Sequence, residues 1–252
     1  MSGEIIIQTE GLTKVYGTQR AVSDLTLTVR EGEIFGFLGP NGSGKTTTLL
    51  MLLGLTEPTG GWARVSGFDP LRESMQVKRI IGYIPENIGF YEDMSAVENL
   101  RFIARLNGLS DSMSAGRIVD ALASVGLSGE ADKKVGAYSR GMRQRLGIAE
   151  IILKEPKIAF LDEPTLGLDP EATTRNIEFI QSLSRDNGIT IILSSHDLKQ
   201  VQKIADRVGI MLEGRMIAVG TLDELATEKF GIGDRQVSLD DLYMKYFQEV
   251  TL

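Results

Sequence analysis

The segment Gly39-Pro-Asn-Gly-Ser-Gly-Lys45-Thr46 constrains this chain more than any other. It pairs a glycine, four variable residues and Gly-Lys-Thr with a particular setting. Before it runs the apolar stretch Glu33-Ile-Phe-Gly-Phe-Leu38, and after it a helix is expected from Thr46 to Leu53. A run that is apolar at consecutive positions reads as a strand covered on both faces. A glycine-rich turn leading from such a strand into a helix binds phosphate: its amides converge on phosphate oxygens and the helix directs its positive end at the same anion. In this reading Gly39, Pro40, Asn41, Gly42, Ser43 and Gly44 form the cradle, and Lys45 reaches the β and γ phosphates of a nucleotide. Thr46 places its hydroxyl on Mg2+, and Thr47 bonds an α-phosphate oxygen through its amide or side chain.

Other buried strands are expected at Arg79–Ile84, Lys157–Leu161 and Ile189–Leu193, each flanked by helical patterns. Strands alternating with helices imply an α/β core with a parallel sheet. Upstream, Leu25, Leu27 and Val29 alternate with Thr26, Thr28 and Arg30, a half-buried strand in an antiparallel opening segment. Between Pro85 and Pro156 helical spacing replaces strands. Ser95 and Glu98 form a capping box ahead of the face Val97, Leu100, Ile103 and Ala104, and Ile118, Ala121, Leu122 and Val125 repeat the spacing. This stretch reads as a helical insertion between core strands. Beyond Gly220, Leu239, Leu242, Tyr243, Tyr246, Phe247 and Val250 make an apolar stripe, which either packs on the body of the domain, the preferred reading, or docks a partner.

Composition removes several chemistries. With no cysteine among 252 residues, disulfide scaffolds, thiol nucleophiles and cysteine-bound zinc are out. The length suits one or two domains with a core that needs no staples. Lys+Arg 27 against Asp+Glu 34 leaves a net charge of −7, which argues against unspecific binding to nucleic acid or anionic membrane. No apolar run approaches the ~18 residues of a membrane helix. The acidic start Met1-Ser-Gly-Glu4 does not read as a targeting segment, so the mature chain is expected to begin there.

A magnesium nucleotide also requires a carboxylate at the end of a neighbouring buried strand, and Ile158-Ala-Phe-Leu161 delivers Asp162 and Glu163 at such a place. Asp162 is suited to the metal's coordination sphere, and Glu163 to orienting or deprotonating the water that attacks the γ-phosphate.

With these residues placed, the chain resembles the ATP-binding subunit of an ABC transporter from about Ile5 to Leu225. Tyr16, in Lys14-Val-Tyr-Gly17, stands where such subunits stack an aromatic ring on adenine; taken without the other motifs it reads as surface turn packing. Tyr138-Ser-Arg-Gly-Met142 stands at the signature Leu-Ser-Gly-Gly-Gln, and Gly167-Leu-Asp169 at the D-loop. His196, after Leu193-Ser-Ser195, stands at the switch histidine, and Glu86, after Ile81-Gly-Tyr-Ile-Pro85, at the Q-loop. There are two departures. Glu86 replaces the usual glutamine and adds a negative charge beside the metal site. Arg140 and Met142 replace the usual signature residues while Ser139 and Gly141 are kept.

The resemblance implies a P-loop NTPase core with a mostly parallel sheet, an N-terminal antiparallel β subdomain and an inserted α-helical subdomain. It places the ATPase domain at 1–225, with the insertion at about 87–155, and a helical extension at 226–252. It implies ATP as substrate, Mg2+ held with Thr46, Asp162 and Glu86, catalysis by Glu163 and His196, and a γ-phosphate contact in trans from Ser139, Arg140, Gly141 and Met142. It further implies pairing with a second copy or a homologous subunit, with Asp169 in the D-loop. A separate transmembrane permease would hold the chain at the cytoplasmic face of the membrane. The signature's form and the short chain resemble the exporter branch. The alternative is a non-transport ATPase of the same type acting on nucleic acid or ribosomes, with a P-loop kinase more distant.

Overall fold

The alternating residues near the N-terminus build an antiparallel hairpin from β1 (Ile5–Tyr16) and β2 (Gln19–Arg30). Leu25, Leu27 and Val29 turn inward and are at most 3 % exposed, while Thr26 and Arg30 face solvent. The computed structural model describes residues 3–230 and 238–251. Its chain divides into two units, Met1–Lys78 with Thr190–Leu252, and Arg79–Ile189.

In the first unit the hairpin leads to β3 (Ile34–Leu38), every residue of which is buried, and then to α1 (Lys45–Leu52). Next come β4 (Gly60–Val65), which adds to β1 to give the order β2-β1-β4, and α2 (Ser74–Ile80), whose last turn crosses into the second unit. There the chain makes β5 (Ile81–Ile84), α3 (Ala96–Leu106), α4 (Asp111–Ser124), α5 (Arg140–Lys154), β6 (Ile158–Asp162) and α6 (Pro170–Asn187). It returns to the first unit through β7 (Thr190–Ser195), α7 (Leu198–Ile204), β8 (Arg207–Leu212), β9 (Arg215–Gly220), α8 (Leu222–Phe230) and α9 (Leu239–Thr251). Within the first unit β3 lies parallel between β7 and β8, and β9 is antiparallel to β8; within the second, β5 and β6 are parallel. The expected α/β core with mostly parallel strands, an antiparallel N-terminal sheet and an inserted set of helices is therefore present.

The expected strands keep their places with bounds shifted by one or two residues, β3, β6 and β7 beginning at Ile34, Ile158 and Thr190. Arg79 and Ile80 end α2, and the strand proper begins at Ile81, although Ile80 O already accepts from Lys157 N at 2.8 Å. The hairpin of β8 and β9, joined at Glu213 and Gly214, had no counterpart among the expected strands.

Local rules hold through the helical stretch. Ser95 accepts from Glu98 N and Glu98 accepts from Ser95 N, the reciprocal box that stabilises a helix start by about 1 kcal/mol. The buried face of α3 is Ala96, Asn99, Leu100 and Ala104, so Val97 and Ile103 sit at its margins. Ile118, Ala121, Leu122 and Val125 are all buried. In the tail, Leu239, Leu242 and Tyr246 are buried where α9 meets α7 and α8, which favours packing on the chain's own body. The side chain of Val250 lies outside the described residues. The boundary expected after 225 falls inside α8.

The start of β3 is fixed from several sides, and this sets where the phosphate loop begins. Asp206 accepts from Ile34 N at 2.8 Å, and Arg207 pairs with Glu33 at 3.1 Å. Burial raises the Glu33 pKa and the Arg207 charge opposes that rise. Phe35 and Phe37, fully buried, meet edge to face at 5.1 Å, and each contributes about 2 kcal/mol by burial.

Candidate functional site

The first unit carries the phosphate loop, Tyr16 and His196. The loop leaves the buried end of β3 and closes on Lys45, whose ammonium donates to Gly39 O at 2.7 Å and Pro40 O at 3.2 Å. Lys45 is only 6 % exposed. The loop is held from outside as well, since Gly214 N donates to Ser43 O at 3.0 Å. Gly39 cannot be another residue: its φ is +155°, and a Cβ there would meet Met211 O at 2.3 Å and Ser43 Oγ at 2.6 Å. Ser43 Oγ is buried without a hydrogen-bond partner, which leaves a hydroxyl in the cradle for a ligand oxygen. Helix α1 begins at Lys45, one residue earlier than expected, and has no acidic residue in its first turn. Its positive end therefore faces no competing carboxylate from that turn. Thr46 is exposed and Thr47 partly so.

Tyr16 ends β1 and is 49 % exposed. His196 is exposed just beyond β7, where Ser195 Oγ accepts from Asp197 N at 3.0 Å and Asp197 in turn caps α7.

The second unit carries the acidic pair, Glu86 and the signature. All five residues of β6 are buried, and Asp162, its last, is 2 % exposed. The pKa of Tyr83 on the adjoining β5 is pushed up to about 12, first by burial and then by the Asp162 charge. Glu163 follows at 8 % exposure with φ +49°. A non-glycine residue in that region costs about 1–2 kcal/mol, and such strain concentrates at functional positions. Asn176, which no spacing argument singled out, is 1 % exposed and donates to Pro164 O at 3.2 Å, tying the strand exit to α6. Glu86 stands exposed two residues past β5.

Ser139 caps α5, its Oγ accepting from Met142 N at 3.2 Å. A hydroxyl that accepts in this way keeps its own proton to donate to an oxyanion. Asp169 caps α6, accepting from Glu171 N at 3.0 Å and Ala172 N at 2.9 Å. The Asp-Pro-Glu sequence carried that second role in plain sight. The two helix starts open into one cavity of about 360 Å3, lined among others by Ser139, Arg140, Met142, Leu168, Asp169 and Arg175. Arg140 lies across Gly167, where a Cβ would come within 2.9 Å of its Nη1. Arg145 also lines the cavity; it donates to Val125 O and Gly126 O, and burial followed by the charge of Arg175 lowers its pKa. The structure thus gathers Ser139, Arg140, Gly141, Met142 and Asp169 around one cleft and adds Arg145, Arg175 and Glu171 to them, with Arg175 ion-paired to Glu171.

The family model for ABC transporters matches residues 22–166. The bacitracin transport ATP-binding protein BcrA of Bacillus licheniformis is 43% identical over 220 residues, spanning 87% of this chain and 71% of that protein. The chain belongs to the ABC transporter family. The daunorubicin/doxorubicin resistance ATP-binding protein DrrA of Streptomyces peucetius is 41% identical over 219 residues, or 87% of this chain and 66% of its own length. A solved ATP-binding subunit of an ABC transporter superposes with a TM-score of 0.86 at 33% identity, covering 96% of this chain and 99% of that one. This ABC transporter subunit binds and hydrolyses ATP. Among its described residues no helix is long and apolar enough to cross a membrane. A role on nucleic acid or ribosomes draws no support from these relatives, which are named for transport and resistance.

Proposed function

We propose that this subunit powers export by closing on ATP with a second copy of itself, or with a homologous subunit, beneath a separate transmembrane permease. The observation that carries the pairing is the cleft of the second unit, in which Ser139 and Asp169 start two helices beside Arg140 and Arg145, with Arg175 ion-paired to Glu171. Such a cleft suits a triphosphate's terminal oxygens. The phosphate loop of one chain and the signature cleft of the other would each hold one end of the same ATP. A γ-phosphate touching both surfaces supplies the difference in affinity that drives closure, and ADP lacks it. The names of BcrA and DrrA point to export of antibiotic-like molecules; the transported compound is chosen mainly by the permease.

Each residue has a task in this reading. The loop from Gly39 to Gly44 and the amide or hydroxyl of Thr47 bind phosphate oxygens, Lys45 neutralises the β and γ phosphates, and Tyr16 carries adenine. Glu163 accepts a proton from the attacking water, and His196 holds that water and the γ-phosphate. Asp169 lines the partner-facing D-loop. Thr46, Asp162 and Glu86 would each offer an oxygen of the kind preferred by a hard cation such as Mg2+, which favours few carboxylates together with substrate phosphates. Among the described residues no group of three or more His, Cys, Asp or Glu side chains forms a metal cage. Bound Mg2+ would neutralise charge on the phosphates.

His196→Ala should lower the hydrolysis rate about a hundredfold while the ATP dissociation constant stays within about twofold, checked by phosphate release against equilibrium titration. Equal losses in both would remove His196 from the chemistry. Transport is tested by purifying the tagged chain from membranes of its own cell. A multi-span membrane protein should come with it, and recovery with ribosomes or nucleic acid instead would overturn the reading.

A further inference from the structure

We infer that Lys14 is a positioning residue for the base of ATP, fixing one face of the Tyr16 ring so that the other is ready to stack. The proposal rests on the reading of Tyr16 as the adenine platform. The Lys14 ammonium lies 4.8 Å from the centre of the Tyr16 ring, well inside the range in which a cation is attracted to an aromatic face. It is not a loose surface charge, because the same nitrogen donates to Glu57 O at 2.6 Å. The segment carrying Glu57 is itself tied to β1, with Thr59 N donating to Thr13 O at 2.8 Å. The ammonium is thus located from two directions, by its own strand and by the chain entering β4. The ring, 49 % exposed, would otherwise be an open tyrosine at the end of a hairpin.

Two consequences follow. With the ammonium over one face, a stacked base takes the opposite face, which defines the side of the platform that binds. A ring already held in place also loses less freedom when the base arrives, so more of the stacking energy appears as affinity. Lys14 acts through Tyr16 and leaves the phosphates to the loop at Gly39 to Thr47.

The experiment measures equilibrium binding of Mg-ATP and of Mg-tripolyphosphate, which has the phosphates and no base, to the full chain and to Lys14→Ala, Lys14→Arg, Tyr16→Ala and the Lys14→Ala/Tyr16→Ala double variant. Lys14→Ala should weaken ATP binding about threefold and leave tripolyphosphate binding unchanged, which also shows that the fold is intact. Lys14→Arg should restore ATP binding, and in the Tyr16→Ala background the lysine change should have no further effect. ATP binding by Lys14→Ala equal to the parent, an equal loss for tripolyphosphate, or the same loss without Tyr16 would each overturn the proposal. Tyr16→Ala binding ATP as well as the parent would overturn the platform reading and the proposal with it. Weakened Tyr16→Ala beside unchanged Lys14→Ala would overturn the proposal alone.

Discussion

Glu163→Gln should lower ATP hydrolysis by about a hundredfold or more, the range expected when a general base is lost, while ATP binding is retained. The substitution exchanges one carboxylate oxygen for an amide of nearly the same size, so the buried pocket and the left-handed backbone at φ +49° are kept. What is lost is the capacity to take a proton from water. Asp162, one residue earlier and 2 % exposed, remains in place. If ATP closes two chains on each other and only hydrolysis releases them, the variant should accumulate as a dimer in Mg-ATP. Size exclusion should then show a species of twice the mass that is absent in Mg-ADP. Hydrolysis near the parental rate together with no ATP-dependent dimer would remove Glu163 from its role and the closing cycle with it.

Lys45→Ala should weaken ATP binding by about a hundredfold or more, since hydrogen bonds from a charged group contribute about 1.5–3 kcal/mol each and Lys45 is placed to make more than one. Its stability effect separates ligand binding from loop closure. In the structure the ammonium donates to Gly39 O and Pro40 O, so the variant leaves two loop carbonyls without those donors. Unfolding in urea without nucleotide should show a loss of about 1–3 kcal/mol. Titration with ATP above the new dissociation constant should recover part of it through binding to the folded state. A variant that loses stability and still binds ATP at parental affinity would make Lys45 a latch for the loop and nothing more.

The parts of the site that were readable in advance are those in which residues close in sequence decide the conformation. The phosphate loop is one, because glycines at set intervals, a preceding buried strand and a following helix act within a dozen residues. The capping box of Ser95 and Glu98 is another. Ser139 and Asp169 as helix starts belong with them, each side chain accepting from amides two or three residues ahead. Segment ends were less legible. The basic pair Lys78 and Arg79 continues a helical turn until Ile81 enters the ladder, because a run of apolar residues does not mark where burial begins. The β8 and β9 hairpin is little marked in the sequence for a similar reason, since its two-residue turn at Glu213 and Gly214 is a weak signal beside a longer helical tail.

Residue order alone decides which groups can do chemistry here: a lysine and threonine at a helix start, two carboxylates at a strand end and a single histidine after another strand. Backbone preferences and side-chain chemistry set those positions locally. Packing decides what surrounds them. Arg145 and Arg175, thirty residues apart in the sequence, meet in one cleft because α5 packs on α6. Asn176 on α6 reaches the Pro164 carbonyl beyond the end of β6, and the Lys14 ammonium finds Glu57 O because the chain entering β4 is paired to β1. Such contacts depend on burial and hydrogen bonding between segments distant along the chain, and no interval within a single segment encodes them.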